Sequence, residues 1–341
     1  MLKTTPVSTS RRTLVKAALI APLAPLASLA SLAPMLAHAD GPYPGQTVKL
    51  VVPFPAGGNT DIIARILAKT MAEDLRQPVV IDNKAGAGGN IGVDMVAKAA
   101  PDGYTLAYST LSTYALNVGL YSKLPYDPVK DLLPVALTIE VPLVLVVPSS
   151  SGIRTLPELL RQLKAQPARA NYASAGNGTS SHIACHLFAS MAGVEVQHVP
   201  YKGTAPAMTD LIAGTVAFAM DAPSVVNPLI KAGRLNAIAV AVPKRMKTLP
   251  DIPTFDEAGL KGYRAYSWNA IWAPAGTPTA ILDRLNASVN KAMADPANQR
   301  QIDEAGVVAY PAMSRSQVEA FMKAEYDTWV PLVRAMKVRL D

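Results

Sequence analysis

Three short turns carry most of the residues whose types and spacing could do chemistry. The first lies in "VVPFPAGGNTD", where an apolar run stops at Pro53 and Pro55, turns through Gly57 and Gly58, and opens a helical pattern at Asn59, Thr60 and Asp61. Glycines there let main chain approach a ligand, and Asn59 or Thr60 can cap the helix. The turn lacks the lysine of a phosphate loop and the G-x-G-x-x-G spacing of a dinucleotide fingerprint. The second turn, at 109–113, ends a strand in Ser109 and Thr110. The third, "ASAGNGTSSH", sets Ser174, Asn177, Thr179, Ser180 and Ser181 around Gly176 and Gly178. All three offer neutral donors, hydroxyls and helix-start N–H groups, which can receive a carboxylate without a formal cation.

Two other chemistries compete for the same residues. Ser180 or Ser181 beside His182, with Asp221 of "AMDAPS", has the composition of a hydrolase triad. No G-x-S-x-G elbow surrounds either serine, and a histidine on the same turn is badly placed to aim its imidazole at the hydroxyl, so a capping role is expected for His182. His182 and His186 have the i,i+4 spacing of a chelating pair, but no H-E-x-x-H accompanies them, and Cys185 on that apolar helix reads as core. No catalytic residue, metal or cofactor is expected.

These turns need elements to hold them. From residue 48 onward the chain alternates short β runs with amphipathic helices: "VKLVVPF" precedes "IIARILAKTMAEDL", and "PVVIDN" precedes "IGVDMVAKAA". That alternation predicts an α/β protein with mostly parallel sheets flanked by helices. Two longer apolar runs, "PVALTIEVPLVLVVPSSS" and "YRAYSWNAIWAPAG", bracket a second set of βα units and read as strands that cross between domains. The expected division is residues 40–141 with 263–341 as domain 1 and 142–262 as domain 2, with a ligand cleft between them beyond the carboxyl ends of the strands. Tyr43, Tyr114, Tyr201, Tyr266 and Trp268 are candidates for its walls or for half-buried core.

The first 39 residues are of another kind. They hold no acid, carry Lys3, Arg11, Arg12 and Lys16, and end in Ala37-His38-Ala39. The adjacent arginines of "SRRTLVK" and the small-x-small end predict a twin-arginine signal peptide, cleaved near Asp40, and hence a periplasmic protein. Prolines 22, 25 and 34 argue against a membrane anchor. Without those four cations the formal net charge of +7 becomes +3. The densest basic cluster, Lys244, Arg245 and Lys247, has no interleaved aromatics, so no nucleic-acid partner is expected. One cysteine excludes an intrachain disulfide.

In this order, "PFPAGGNTD", "NKAGAGGNIG", "PDGYTL", "YASAGNGTSSH", "VPYKGTAPAMTDLIAG" and "LPDIPTFDEAG" resemble the Bug (Bordetella uptake gene) family, the TctC-like periplasmic solute-binding proteins of the tripartite tricarboxylate transporter. The resemblance runs from about Tyr43 to the C-terminus. It implies a two-domain, type II-like periplasmic-binding-protein fold that closes on a small carboxylate, a dicarboxylate or an aromatic acid. The carboxylate would pass to the membrane permease subunits, with a monomer as the expected state. It also implies ligand contacts from Phe54, Ala56, Gly57 and Gly58, from Ser109 and Thr110, from Gly178, Thr179, Ser180 and Ser181, and from Asp221. "HIACHLFAS" departs from the family, where a Gly-Glu pair often stands in place of Cys185-His186. Two other outputs stay open on the sequence: presentation of the ligand to a membrane sensor kinase, and a serine hydrolase using Ser180 or Ser181, His182 and Asp221.

Overall fold

The structure is a computed structural model that describes residues 43–340. The expected signal segment and its cleavage point lie outside the described residues. The strands are β1 (Val48–Val52), β2 (Val79–Asn83), β3 (Thr105–Thr110), β4 (Leu132–Pro142), β5 (Val144–Pro148), β6 (Asn171–Ser174), β7 (Gln197–Pro200), β8 (Phe218–Asp221), β9 (Leu235–Val240), β10 (Tyr266–Pro274) and β11 (Val308–Ala309). The helices are α1 (Asn59–Leu75), α2 (Asn90–Ala97), α3 (Asn117–Leu120), α4 (Leu156–Ala165), α5 (Ser180–Ala192), α6 (Thr204–Ala213), α7 (Pro223–Lys231), α8 (Thr279–Ala294), α9 (Pro296–Glu304) and α10 (Arg315–Ala335).

The strands form two sheets, one in the order β11-β4-β10-β3-β1-β2 and one in the order β7-β6-β8-β5-β9. Strands β2, β1 and β3 pair in parallel, as do β7, β6 and β8, which is what βα repeats produce. The two long apolar runs supply the antiparallel partners. β10 lies antiparallel between β3 and β4, and β5 lies antiparallel between β8 and β9. The first run contributes β4 to one sheet and β5 to the other, with only Leu143 between. The chain returns near Ala265, whose N–H bonds Ala241 O before β10 joins the first sheet. The fold is a mixed α/β architecture of two sheets flanked by helices.

Burial explains why these segments take these forms. Strand β1 is fully buried apart from Lys49, as befits a strand covered on both faces. α1 buries Ile63, Leu67 and Met71 at i,i+4 spacing against that sheet, and Leu282, Leu285 and Val289 of α8 complete the layer. On the opposite face Trp268 and Trp272 of β10 pack with Val318, Met322 and Val330 of α10. The second sheet has its own two layers, one around Phe188, Phe218 and Tyr263 and the other around Leu211 and Val226. With both cores closed in this way, the turns that follow β1, β3, β6, β7 and β8 are free to face one cleft.

Candidate functional site

The cleft, about 760 Å³ including its solvent-open mouth, is lined from both sheets. Its first wall is the turn after β1. Asp61, buried on the first turn of α1, accepts from Gly57 N at 2.9 Å, from Arg65 at 2.9 and 3.0 Å, and from Asn83 Nδ2 at 3.0 Å, while Asn83 also donates to Phe54 O at 3.1 Å. Burial works to raise the Asp61 carboxyl, but these donors outweigh it and hold it below the usual carboxylate range. Asp61 thus clamps the turn from behind. Gly58 is the N-cap and supplies no side-chain cap, so among the described residues the N–H groups at the start of α1 have no side-chain acceptor.

The wall opposite is the start of α5. Thr179 caps it, donating to Gly176 O at 2.7 Å and accepting from His182 N at 3.4 Å. Ser181 Oγ accepts from Ala175 N at 3.0 Å. Ser180 Oγ meets Ser112 Oγ at 3.1 Å, a link from α5 to the segment after β3, and Ser224 Oγ donates to Asn59 Oδ1 at 2.8 Å. A third helix start, that of α6, was not expected to line the cleft. Its N-cap, Gly203, has a φ of 108° and no side-chain cap. A Cβ there would stand 2.7 Å from Pro55, so only glycine lets this turn close onto the first one.

Of the residues singled out from the sequence, Phe54, Ala56, Gly58 and Thr110 line the cleft from the first sheet's side, and Thr179, Ser180, Ser181 and Asp221 line it from the second's. Gly57, Ser109 and Gly178 are not among its lining residues. Each is engaged elsewhere: the Gly57 N–H bonds Asp61, Ser109 Oγ accepts from Thr113 Oγ1 at 3.0 Å, and the Gly178 N–H bonds His182 Nδ1 at 3.3 Å. None of the five aromatic candidates lines it either. Trp268 and Tyr266 occupy the other face of β10, where both donate to Glu325, at 2.8 and 2.9 Å. The floor instead comes from Ser267 and Asn269, the residues one step along the same strand. Period-two alternation in "YSWNAIW" separates these pairs onto opposite faces and was the available signal.

Only Lys202 and Asp221 carry charge in the lining, Lys202 exposed and Asp221 buried. Burial raises the Asp221 carboxyl to about 6, against the lowering effect of the Ala222 N–H and the Thr204 hydroxyl. The histidine does not complete a triad. The His182 ring stacks on that of His198 at 4.0 Å, itself bonded to Ser174 Oγ at 2.6 Å, and its Nδ1 accepts from Gly178. Burial, then the neighbouring imidazoles, lower His182 to about 3, so it is a neutral turn-holding group. Asp221 Oδ1 accepts from Ala222 N at 2.7 Å. Among the described residues, no group of three His, Cys, Asp or Glu side chains is disposed to hold a metal ion.

Two sheets joined by crossing strands, with helix starts converging on a cleft of neutral donors, define a periplasmic-binding-protein fold. Comparison with solved structures agrees. "R. palustris Rpa4515 with adipate" superposes with a TM-score of 0.84 at 35% identity, covering 87% of this chain and 100% of that one. "MatC (Rpa3494) from Rhodopseudomonas palustris with bound malate" gives 0.81 at 34% identity, covering 85% and 100%. The model of the family described as "Tripartite tricarboxylate transporter family receptor", TctC, matches residues 63–338. "Protein BugT" of Bordetella pertussis is 37% identical over 302 residues, 87% of this chain and 91% of that protein. The chain belongs to the TctC family of periplasmic solute-binding proteins.

Proposed function

We propose that this protein captures a small carboxylate in the periplasm and delivers it to the membrane permease subunits of a tripartite tricarboxylate transporter. One observation carries the reading. Two helices, α1 and α6, begin at glycine N-caps without side-chain caps, and their first turns line a cleft with the serine-rich start of α5. Helix-start N–H groups and the helix dipole favour anions, and a flat carboxylate fits where glycines leave main chain uncovered. No arginine clamp is needed. The adipate and malate held by the two similar proteins support the same ligand class here.

On this reading residues 40–141 with 263–341 and residues 142–262 act as two domains that close on the ligand. The ligand contacts are Phe54, Ala56, Gly58, Thr110, Thr179, Ser180, Ser181 and Asp221. Export by the twin-arginine route with cleavage near Asp40 would deliver the folded chain as a monomer, and N-terminal sequencing of periplasmic material checks that point.

The test is a thermal-shift screen against mono-, di- and tricarboxylates and aromatic acids. A ligand that binds only the folded state stabilises by RT ln(1 + [L]/Kd), or about 2.7 kcal/mol at a hundredfold excess over Kd. A raised melting temperature with at least one acid, without turnover of model esters, is expected. No shift with any carboxylate would overturn the assignment.

A further inference from the structure

Strand β10 brings two polar side chains to the cleft floor, and among the described residues the protein leaves an acceptor on each unfilled. Asn269 is 1% exposed and Ser267 6%, and both line the cleft. Asn269 Oδ1 and Ser267 Oγ have no hydrogen-bond partner among the described residues, while the Asn269 amide NH₂ lies against Tyr108 Oη. Buried polar atoms are nearly always paired, so orphans at a cavity wall mark where an occupant supplies the partner. Asn269 stands opposite Thr110 of β3, and the register against β4 slips between Asn269 and Ala270. Irregularities of this kind re-aim side chains beside functional sites.

Hydroxyl directions fix which end of the amide lacks a partner. Thr138 Oγ1 donates to the Asn269 main-chain carbonyl at 2.8 Å, so the 2.8 Å contact between Tyr108 Oη and Thr138 Oγ1 uses the tyrosine's proton. Tyr108, which flanks Asn269, therefore has only lone pairs to offer it. The amide NH₂ can turn toward that oxygen, but Tyr108 has no proton left to donate to Oδ1. Asp221 receives the Ala222 N–H and the Thr204 hydroxyl, and a carboxylate has further acceptor capacity beyond two donors. Unfilled acceptors thus meet in a cleft whose helix starts are rich in donors. A plain dicarboxylate has no donor for them.

We infer that the ligand bears a hydrogen-bond donor, a hydroxyl or an ammonium group, next to its carboxylates, and that Asn269, Ser267 and Asp221 read it. This rests on the carboxylate assignment above and narrows it. The carboxylates select for an acid, and the floor selects among acids of one length. A hydroxyl could also accept from Ser267 Oγ, whereas an ammonium group would only donate.

The experiment is calorimetric titration of the purified protein with matched series: succinate, malate and aspartate, then glutarate, 2-hydroxyglutarate and glutamate. In at least one series a donor-bearing acid should bind about tenfold or more tightly than its plain parent, since the parent leaves the buried acceptors unpaired. The stronger of the hydroxy and amino members identifies the donor. In Asn269→Leu, close in size, the ratio between donor-bearing and plain acid should fall severalfold or more. Asp221→Asn supplies the same comparison if that variant melts far below the parent. If plain and substituted acids bind alike, the inference is overturned while the carboxylate assignment stands. If no carboxylate binds, both fall. Retention of the full ratio in a folded Asn269→Leu and in Asp221→Asn would also overturn it.

Discussion

Two adjacent glycines in the first turn should respond in opposite ways to the same substitution. Gly57 has a φ of 81°, and its N–H is bonded to Asp61. Gly58 has φ −80° and ψ 166°, a region open to any residue, and it lines the cleft. A Cβ built on Gly57 meets no atom within 4 Å, and one on Gly58 meets only Pro55 O, at an ordinary 3.6 Å. Gly57→Val therefore meets no steric clash but forces a branched residue into left-handed backbone, at about 1–3 kcal/mol of stability, with the cleft wall intact. Gly58→Val keeps allowed backbone and costs up to about 1 kcal/mol as a poorer N-cap. Its isopropyl group, however, stands where an anion would approach the first N–H groups of α1. Losing one such bond to a charged ligand is worth about 1.5–3 kcal/mol, roughly ten- to more than a hundredfold in affinity. Calorimetric melting without ligand, and titration of the same samples with the tightest acid from the screen, separate the two effects. Gly57→Val should melt lower and bind nearly as the parent does, and Gly58→Val the reverse. Parental affinity in Gly58→Val would refute the main-chain anion site at α1.

The serines of α5 should also part company. Ser180→Ala should weaken binding by about tenfold or more with little effect on melting, because its side chain's only hydrogen-bond partner among the described residues is Ser112, whereas Ser181→Ala should also lower stability by about 1–3 kcal/mol by leaving Ala175 N unpaired. Equal melting of the two variants counts against this division. Asp221 gives a pH signature: its folded-state value of about 6 exceeds the unfolded value, so the stability it contributes is full below about pH 4 and is lost as the pH rises through 6. Asp221→Asn should accordingly gain up to about 3 kcal/mol over the parent at pH 7.5, in urea unfolding without ligand, and much less at pH 4. A difference independent of pH would show that burial does not raise the Asp221 carboxyl. Glu325, which accepts from Tyr266, Trp268 and Trp329, should on replacement by leucine cost about 2–5 kcal/mol from three donors left unpaired, and binding measured well below the melting point should persist. Loss of affinity in a folded Glu325→Leu would show that the aromatic face of β10 communicates with the floor.

The parts of the site that local chemistry specifies were legible in the sequence. Glycine pairs, hydroxyl runs and the switch from β to helical periodicity mark the starts of α1 and α5, and six ordered motifs carry the family. What could not be read depends on long-range pairing. Ser267 and Asn269 reach the floor only because β10 inserts between β3 and β4 with Asn269 opposite Thr110, and no local signal encodes that register. The start of α6 reads as one more βα turn, and only the approach of Gly203 to Pro55 brings it onto the cleft. The different roles of Gly57 and Gly58 likewise rest on the sign of φ. A deeper reason lies in the kind of site this is. Most of its donors are main-chain groups and hydroxyls, with only Asp221 and Lys202 charged. Charged side chains are what make a binding site conspicuous in a sequence, whereas a site made of main chain leaves its trace in which residues are small. On the proposed reading such a site gains affinity from donors fixed in advance by the fold, so selectivity among acids would pass to the few side chains whose bonds are unfilled, Ser267 and Asn269 of β10 with Asp221 of β8.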